Sequence, residues 1–162
     1  MIDKINCKNS WKSPSGSRSI TLEQIITRIK NNPKYNVHVG TDSHRNRGTN
    51  DKSHIFATVI CLYEPGKGAT YYYKRFVDKT IYKSLNQRMI AEATLSINTS
   101  MDLMEYINIS RITVHADTNS DSRYASFPST QIIRSWVTSL GCQFLCKPDA
   151  WASSSVADWH AK

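Results

Sequence analysis

Three runs between Val37 and Val77 decide how this chain folds: VHVGTDS (37–43), HIFATVICLY (54–63) and TYYYKRFV (70–77). Each is short and rich in β-branched or aromatic residues, and each predicts a strand. Alternation along the first run puts His38, Gly40 and Asp42 on one face and Val37 and Val39 on the other. The second run is almost continuously apolar, which suits a strand covered on both faces. The polar links RNRGTNDK and EPGKGA are short, so the three strands are expected to form an antiparallel meander.

Outward from this core the period changes. Leu85, Met89, Ala93, Ile97, Met101 and Met104 recur every three or four residues, which predicts a helix within residues 80–107. RITVHAD (111–117) is a fourth strand. Ser129 or Thr130 offers a cap for a helix carrying Ile132, Ile133, Trp136, Val137 and Leu140 and stopped by Gly141. CQFLCKP (142–148) is a fifth strand, and the serines at 153–155 offer a cap for a short last helix, VADWHAK. Ahead of the meander, Thr21 and Gln24 have capping-box spacing, Leu22, Ile25, Ile26 and Ile29 follow at helical spacing, and Pro33 stops the segment. The order is β-β-β-α-β-α-β-α behind a leading helix. It predicts one α/β domain over 20–162: a five-stranded mixed sheet, three strands antiparallel and two parallel, flanked by helices. Strands joined through helices should run parallel by right-handed crossovers. Residues 1–19, with Lys4, Lys8, Lys12 and Arg18 around the breakers SPSGSRS, read as a basic flexible arm.

At 162 residues the chain has the length of one domain and can bury a core without disulfides. Charged residues at 21% and hydrophobic residues at 40% exclude a disordered chain, a collagen and a coiled coil. The longest apolar run, Ile55 to Tyr63, is far short of the ~20 residues of a membrane span. The first residues carry no apolar leader, so a cytoplasmic protein with four free thiols is expected. The net charge of +8 points to a polyanion, for which nucleic acid is the usual partner.

The chemistry lies in where four acids fall. Asp42 stands near the end of the first strand. Asp117 ends the fourth, which should lie beside the first and parallel to it. Glu92 follows Met89 by three residues, on the packed stripe of the long helix. Asp158 lies in the first turns of the last helix. Singly, each has an ordinary reading: a turn former, an Asx-turn residue, a helix-flank acid, a partner for the helix dipole. Jointly, they meet at one edge of the sheet, where carboxylates repel unless a cation neutralises them. Oxygen ligands without Cys or His in the set point to Mg2+ or Mn2+.

This element order, with an acid in each of the four places, resembles the ribonuclease H-like superfamily. The stretches VHVGTDSH, SLNQRMIAEATLSI, VHADTNSDSRYAS and KPDAWASSSVADWHAK look like the YkuK-like family assigned to that fold. The resemblance covers roughly Tyr35 to Lys162. It implies that Asp42, Glu92, Asp117 and Asp158 are catalytic residues and metal ligands of a nuclease. Two divalent ions, Mg2+ or Mn2+, would be held roughly 3.5–4 Å apart for phosphodiester hydrolysis, with Asp42 bridging. The substrate would be RNA, DNA or their hybrid. The leading helix, the basic arm and the short last helix depart from a standard ribonuclease H. Two rival readings stand beside the nuclease: a non-catalytic nucleic-acid-binding or scaffold protein on the same fold, and a junction resolvase, which requires a homodimer.

Four further readings stay open on the sequence. His44 is an extra ligand, a proton shuttle or a loop residue. Asp121 replaces Asp117 if the fourth strand ends later. Lys147 touches a phosphate or ends a strand in solvent. Cys142 and Cys146 are core thiols in preference to zinc ligands, because their spacing with the histidines fits no standard site.

Overall fold

A computed structural model describes residues 10–162. The meander is present: β3 (Asn36–Arg45), β4 (His54–Glu64) and β5 (Gly68–Asp78) pair antiparallel in sequence order. β6 (Ile112–Asn119) lies parallel to β3, and β7 (Gln143–Lys147) lies parallel to β6. The crossovers are α2 (Leu85–Met104) and α3 (Phe127–Ser139). In front stands α1 (Leu22–Asn31), whose Thr21 and Gln24 make both halves of the capping box. Its Ile25, Ile26 and Ile29 are buried, as the spacing requires.

The sheet has seven strands, not five. β1 (Trp11–Lys12) and β2 (Ser19–Ile20) form a small hairpin that pairs with β5 and gives the order β2-β1-β5-β4-β3-β6-β7. This part of the expected flexible arm is therefore ordered; residues 1–9 lie outside the described residues. The cause is Trp11. Its ring is 1% exposed in the main core, and the Lys74 ammonium lies 4.7 Å from the ring centroid.

The two faces of the sheet are covered differently. Val37, Val39, Ile60, Leu62, Ile112 and Val114 share a core with Leu103 of α2 and Ile133 and Val137 of α3. On the other face Val59 and Cys61 pack against Ala152 and Ala157 of the C-terminal segment. That segment is a π-helical stretch, Ala152–Ala157, running directly into α4 (Asp158–Ala161). The serines at 153–155 lie inside this helical stretch and do not cap it; Ser153 and Ser154 donate instead to the Ala150 carbonyl. Likewise α3 begins before Ser129, because Pro128 fits its first turn, and Ser129 and Thr130 are buried within it. Cys61 and Cys142 are buried free thiols and Cys146 is half-buried.

Gly40 lets the C-terminal segment lie on β3. A Cβ there would stand 2.7 Å from the Ser153 nitrogen and 2.9 Å from the Ala152 carbonyl carbon, both backbone atoms. Gly40→Ala should therefore cost about 1–3 kcal/mol in chemical denaturation, the cost of forcing a methyl into a packed site. A variant as stable as the parent would show that the contact yields freely.

Candidate metal centre

The site is built from strand alternation and one parallel register. β3 and β6 pair from Val37 opposite Ile112 to Gly40 opposite His115. The same register carried two residues further sets Asp42 level with Asp117. β6 itself runs on to Asn119, later than the sequence suggests. Asp117 nevertheless remains the strand acid nearest Asp42, whose carboxyl it helps to raise, while Asp121 lies beyond the strand and pairs with Arg123 at 2.5 Å.

Asp42, 7% exposed, accepts the Ser43 amide at 2.8 Å. His44 is next on the same face by alternation. Its Nε2 donates to Asp158 Oδ1 at 2.7 Å and lies 3.5 Å from Asp42 Oδ2. Lys162 Nζ donates to Asp158 Oδ2 at 2.5 Å, one helical turn on. Ser43 points to the opposite face of β3, where its hydroxyl donates to Glu92 Oε1 of α2 at 2.5 Å. Glu92 is buried, so the helix turns it inward as its spacing predicts. Lys147 Nζ lies 3.1 Å from Asp117 Oδ1 as an ion pair, but without the alignment of a hydrogen bond, and this buried oxygen has no hydrogen-bond partner.

The electrostatics follow from burial and like charge. Burial first, then the charges of Asp117 and Asp158, push the Asp42 carboxyl up to about 6; the Ser43 amide and His44 pull the other way. Burial first, then Asp42 and more weakly Asp117, push Glu92 up to about 8 against the Ser43 hydroxyl and Arg88. Burial also acts on Asp158, but Lys162 and His44 outweigh it and hold that carboxyl below the usual range.

Asp42, His44 and Asp158 each present a donor atom within 4.8 Å of the other two. Together with Asp117 Oδ1, which pairs with Lys147 but has no hydrogen bond among the described residues, this donor set fits a divalent cation. An imidazole thus stands among the carboxylates, beside the four acids singled out from the sequence. Alternation carried the signal: His44 is two residues past Asp42.

A family model described as ribonuclease H-like matches residues 21–162, and the chain belongs to that family. No curated protein and no solved structure gives a match. The membership points to a nucleic-acid-related function. Among the described residues no helix is long and apolar enough to cross a membrane.

The raised carboxyls predict a pH dependence. Glu92 holds its proton more tightly folded than unfolded, so the stability this contributes is present below about 4.5 and lost as pH rises through about 8. Asp42 behaves alike between about 4 and 6. His38 and His115, lowered to about 4 and about 3 by burial, act oppositely, but only below the ordinary histidine value of 6.5. Between pH 6.5 and 8 Glu92 therefore dominates. The melting temperature of chelator-treated protein should fall across that window, and Glu92→Gln should flatten the fall. An equal slope in both proteins would contradict a buried, proton-holding Glu92.

Proposed function

We propose that this protein is a divalent-metal-dependent nuclease that hydrolyses phosphodiester bonds. The observation that carries the reading is the grouping of Asp42, His44 and Asp158, with Asp117 and Glu92 near enough to help raise or be raised by Asp42. Asp42, Asp158 and His44 would hold an ion, and Asp117 and Glu92 would add negative charge around it. Bound there, divalent ions supply Lewis-acid activation of water and neutralise charge on the leaving oxygen. The chain's own groups do the rest. Ser43 fixes the Glu92 carboxyl from the far face of the strand, and its amide fixes Asp42. Lys147 and Lys162 flank the acids as cations able to turn toward a phosphate. His44 ligates through Nε2 once its proton is carried on Nδ1, so binding is linked to proton release at low pH.

The imidazole bears on which ion is held. Mg2+ favours oxygen ligands and keeps its waters, whereas Mn2+ accepts imidazole more readily. Mn2+ is therefore the favoured ion.

The rival is a non-catalytic nucleic-acid-binding protein on the same fold. It draws on the ion pairs Lys147–Asp117 and Lys162–Asp158, which neutralise two of the acids from within the chain. Two measurements separate the readings. Calorimetric titration should give tighter binding of Mn2+ than Mg2+, and His44→Ala should weaken Mn2+ binding by about tenfold or more, at least the loss seen when a ligand's support is removed. Cleavage of a panel of single-stranded, duplex, hybrid and branched substrates should need the ion and be abolished by Asp42→Asn with folding intact. No ion binding and no cleavage of any substrate would leave the binding protein as the better reading; near-normal cleavage by Asp42→Asn would sink the mechanism.

A further inference from the structure

The sheet face that carries Asp42 continues past the metal centre into a cleft of about 680 Å³. Cross-strand register explains its form. Asp42, Ala57 and Arg75 stand in one row across β3, β4 and β5, and His44, Ile55 and Val77 form the next. Ile55 makes an apolar floor between His44 and Arg45 at one side and Arg75 at the other, with Arg47 and Lys162 completing the rim. Among the described residues no acid lines this cleft. Arg75 is fixed in place by donating to the carbonyls of His160 and Lys162 at 3.0 and 3.4 Å. His44 and Lys162 belong both to the cleft and to the cluster around Asp158, so the cleft opens directly onto the metal centre. One residue beyond Asp158, Trp159 is 74% exposed, while its neighbours Ala157 and Ala161 are buried.

A row of cations over an apolar floor, next to an acidic cluster whose Asp158 is followed directly by an exposed indole, has one fitting occupant. It is a phosphodiester chain whose bases are free. Arginines grip phosphates through paired N–H donors. Exposed aromatic rings hold unpaired bases by stacking, without sequence preference. The cleft crosses two strand spacings, about 10 Å, which is too narrow for a duplex to sink into. A duplex also keeps its bases stacked on one another, out of reach of Trp159.

We propose that this cleft seats single-stranded nucleic acid, with phosphates on Arg45, Arg47 and Arg75 and a base on Trp159, and delivers the strand to the metal centre. The proposal rests on the nuclease reading for the meaning of that delivery, but the binding itself does not. The test is fluorescence anisotropy with labelled oligo(dT), the matching single-stranded RNA and a mixed-sequence duplex, in chelator so that no turnover occurs. The full chain should bind the single strands about tenfold or more tighter than the duplex. Arg45→Gln combined with Arg47→Gln should weaken single-strand binding and reduce the slope of log K against log salt by about 1.4, two phosphates at ~0.7 each. Trp159→Ala should weaken binding about tenfold and abolish part of the tryptophan quenching on oligonucleotide addition. Calorimetric Mn2+ affinity and melting temperature of both variants should match the parent, which separates lost contacts from lost folding. Equal or tighter duplex binding, or unchanged affinity and slope in the double variant, overturns the proposal. Single-strand binding that follows these changes without cleavage under either ion leaves the cleft standing and removes the nuclease. Cleavage with unaltered binding in the double variant does the reverse.

Discussion

The parallel register of β3 and β6 is the constraint on which the rest of the molecule depends. It places Asp42 and Asp117 just beyond the paired residues Gly40 and His115 of adjacent strands, and Asp117 helps raise the Asp42 carboxyl because like charges repel. Burial makes the repulsion worse, as the raised Asp42 and Glu92 carboxyls record. The chain meets this with cationic or proton-bearing groups from three places: His44 from the same strand, Lys147 from the end of β7 and Lys162 from the end of α4. None of them reaches Glu92, which is held by a serine hydroxyl and a distant Arg88 guanidinium at 3.9 Å. A cluster whose deepest acid has the weakest counter-charge is one that gains from an added cation, because any ion bound only by the folded protein stabilises it.

The C-terminal segment must arrive at a fixed height on β3 for Asp158 to reach this cluster. A chain of hydrogen bonds sets that height. The Ala152 amide donates to His115 Nδ1 at 3.2 Å, so the His115 proton sits on Nε2. That Nε2 then donates to His38 Nδ1 at 2.9 Å. Burial lowers both imidazoles well below the usual histidine range, so they stay neutral at neutral pH and keep these roles. Trp151 closes over the pair, its ring centroid 4.8 Å from His38 and 5.1 Å from His115. From this anchor the wider π-helical turn runs over Gly40, and α4 begins at Asp158. His160 stacks on Tyr73 at 3.7 Å and pins the other end. A π-helical stretch beside a functional site is a common way to re-aim a side chain.

Much of this was legible from residue order. The meander, the crossover strands and the α1 capping box followed from alternation, helical spacing and loop length, and the same spacing turned Glu92 inward. What was not legible has physical reasons. β1 and β2 are two residues each, too short for any alternation to show, and Trp11 alone marks their burial. The serines before α4 resemble a cap locally, but packing of Ala152 and Ala157 on the sheet extends the helical stretch over them; tertiary burial overrides the local signal. Of the tyrosine run, Tyr72 faces the main core, where Arg28 donates to its hydroxyl, whereas Tyr71 and Tyr73 face His160. Alternation required such a split but did not say which way it fell. For His44 the sequence left ligand, proton shuttle and loop residue side by side, and the strand's extension to Arg45 removes the loop reading.

Charge then joins the scaffold to its task. An acidic cluster repels phosphates, so carboxylates alone cannot make this face receptive to a polyanion. The sequence carries a net +8, and the fold gathers part of it here: Arg45 ends β3, Arg47 follows in the turn, and Arg75 stands two strands away in the same row as Asp42. The three residues Asp42, His44 and Arg45 thus change from carboxylate to imidazole to guanidinium within one strand end. Because one strand supplies that gradient, displacing β3 along its length would shift the acids and the cations together. The register of β3 with β6 at the site and with β4 in the cleft would then be lost at once.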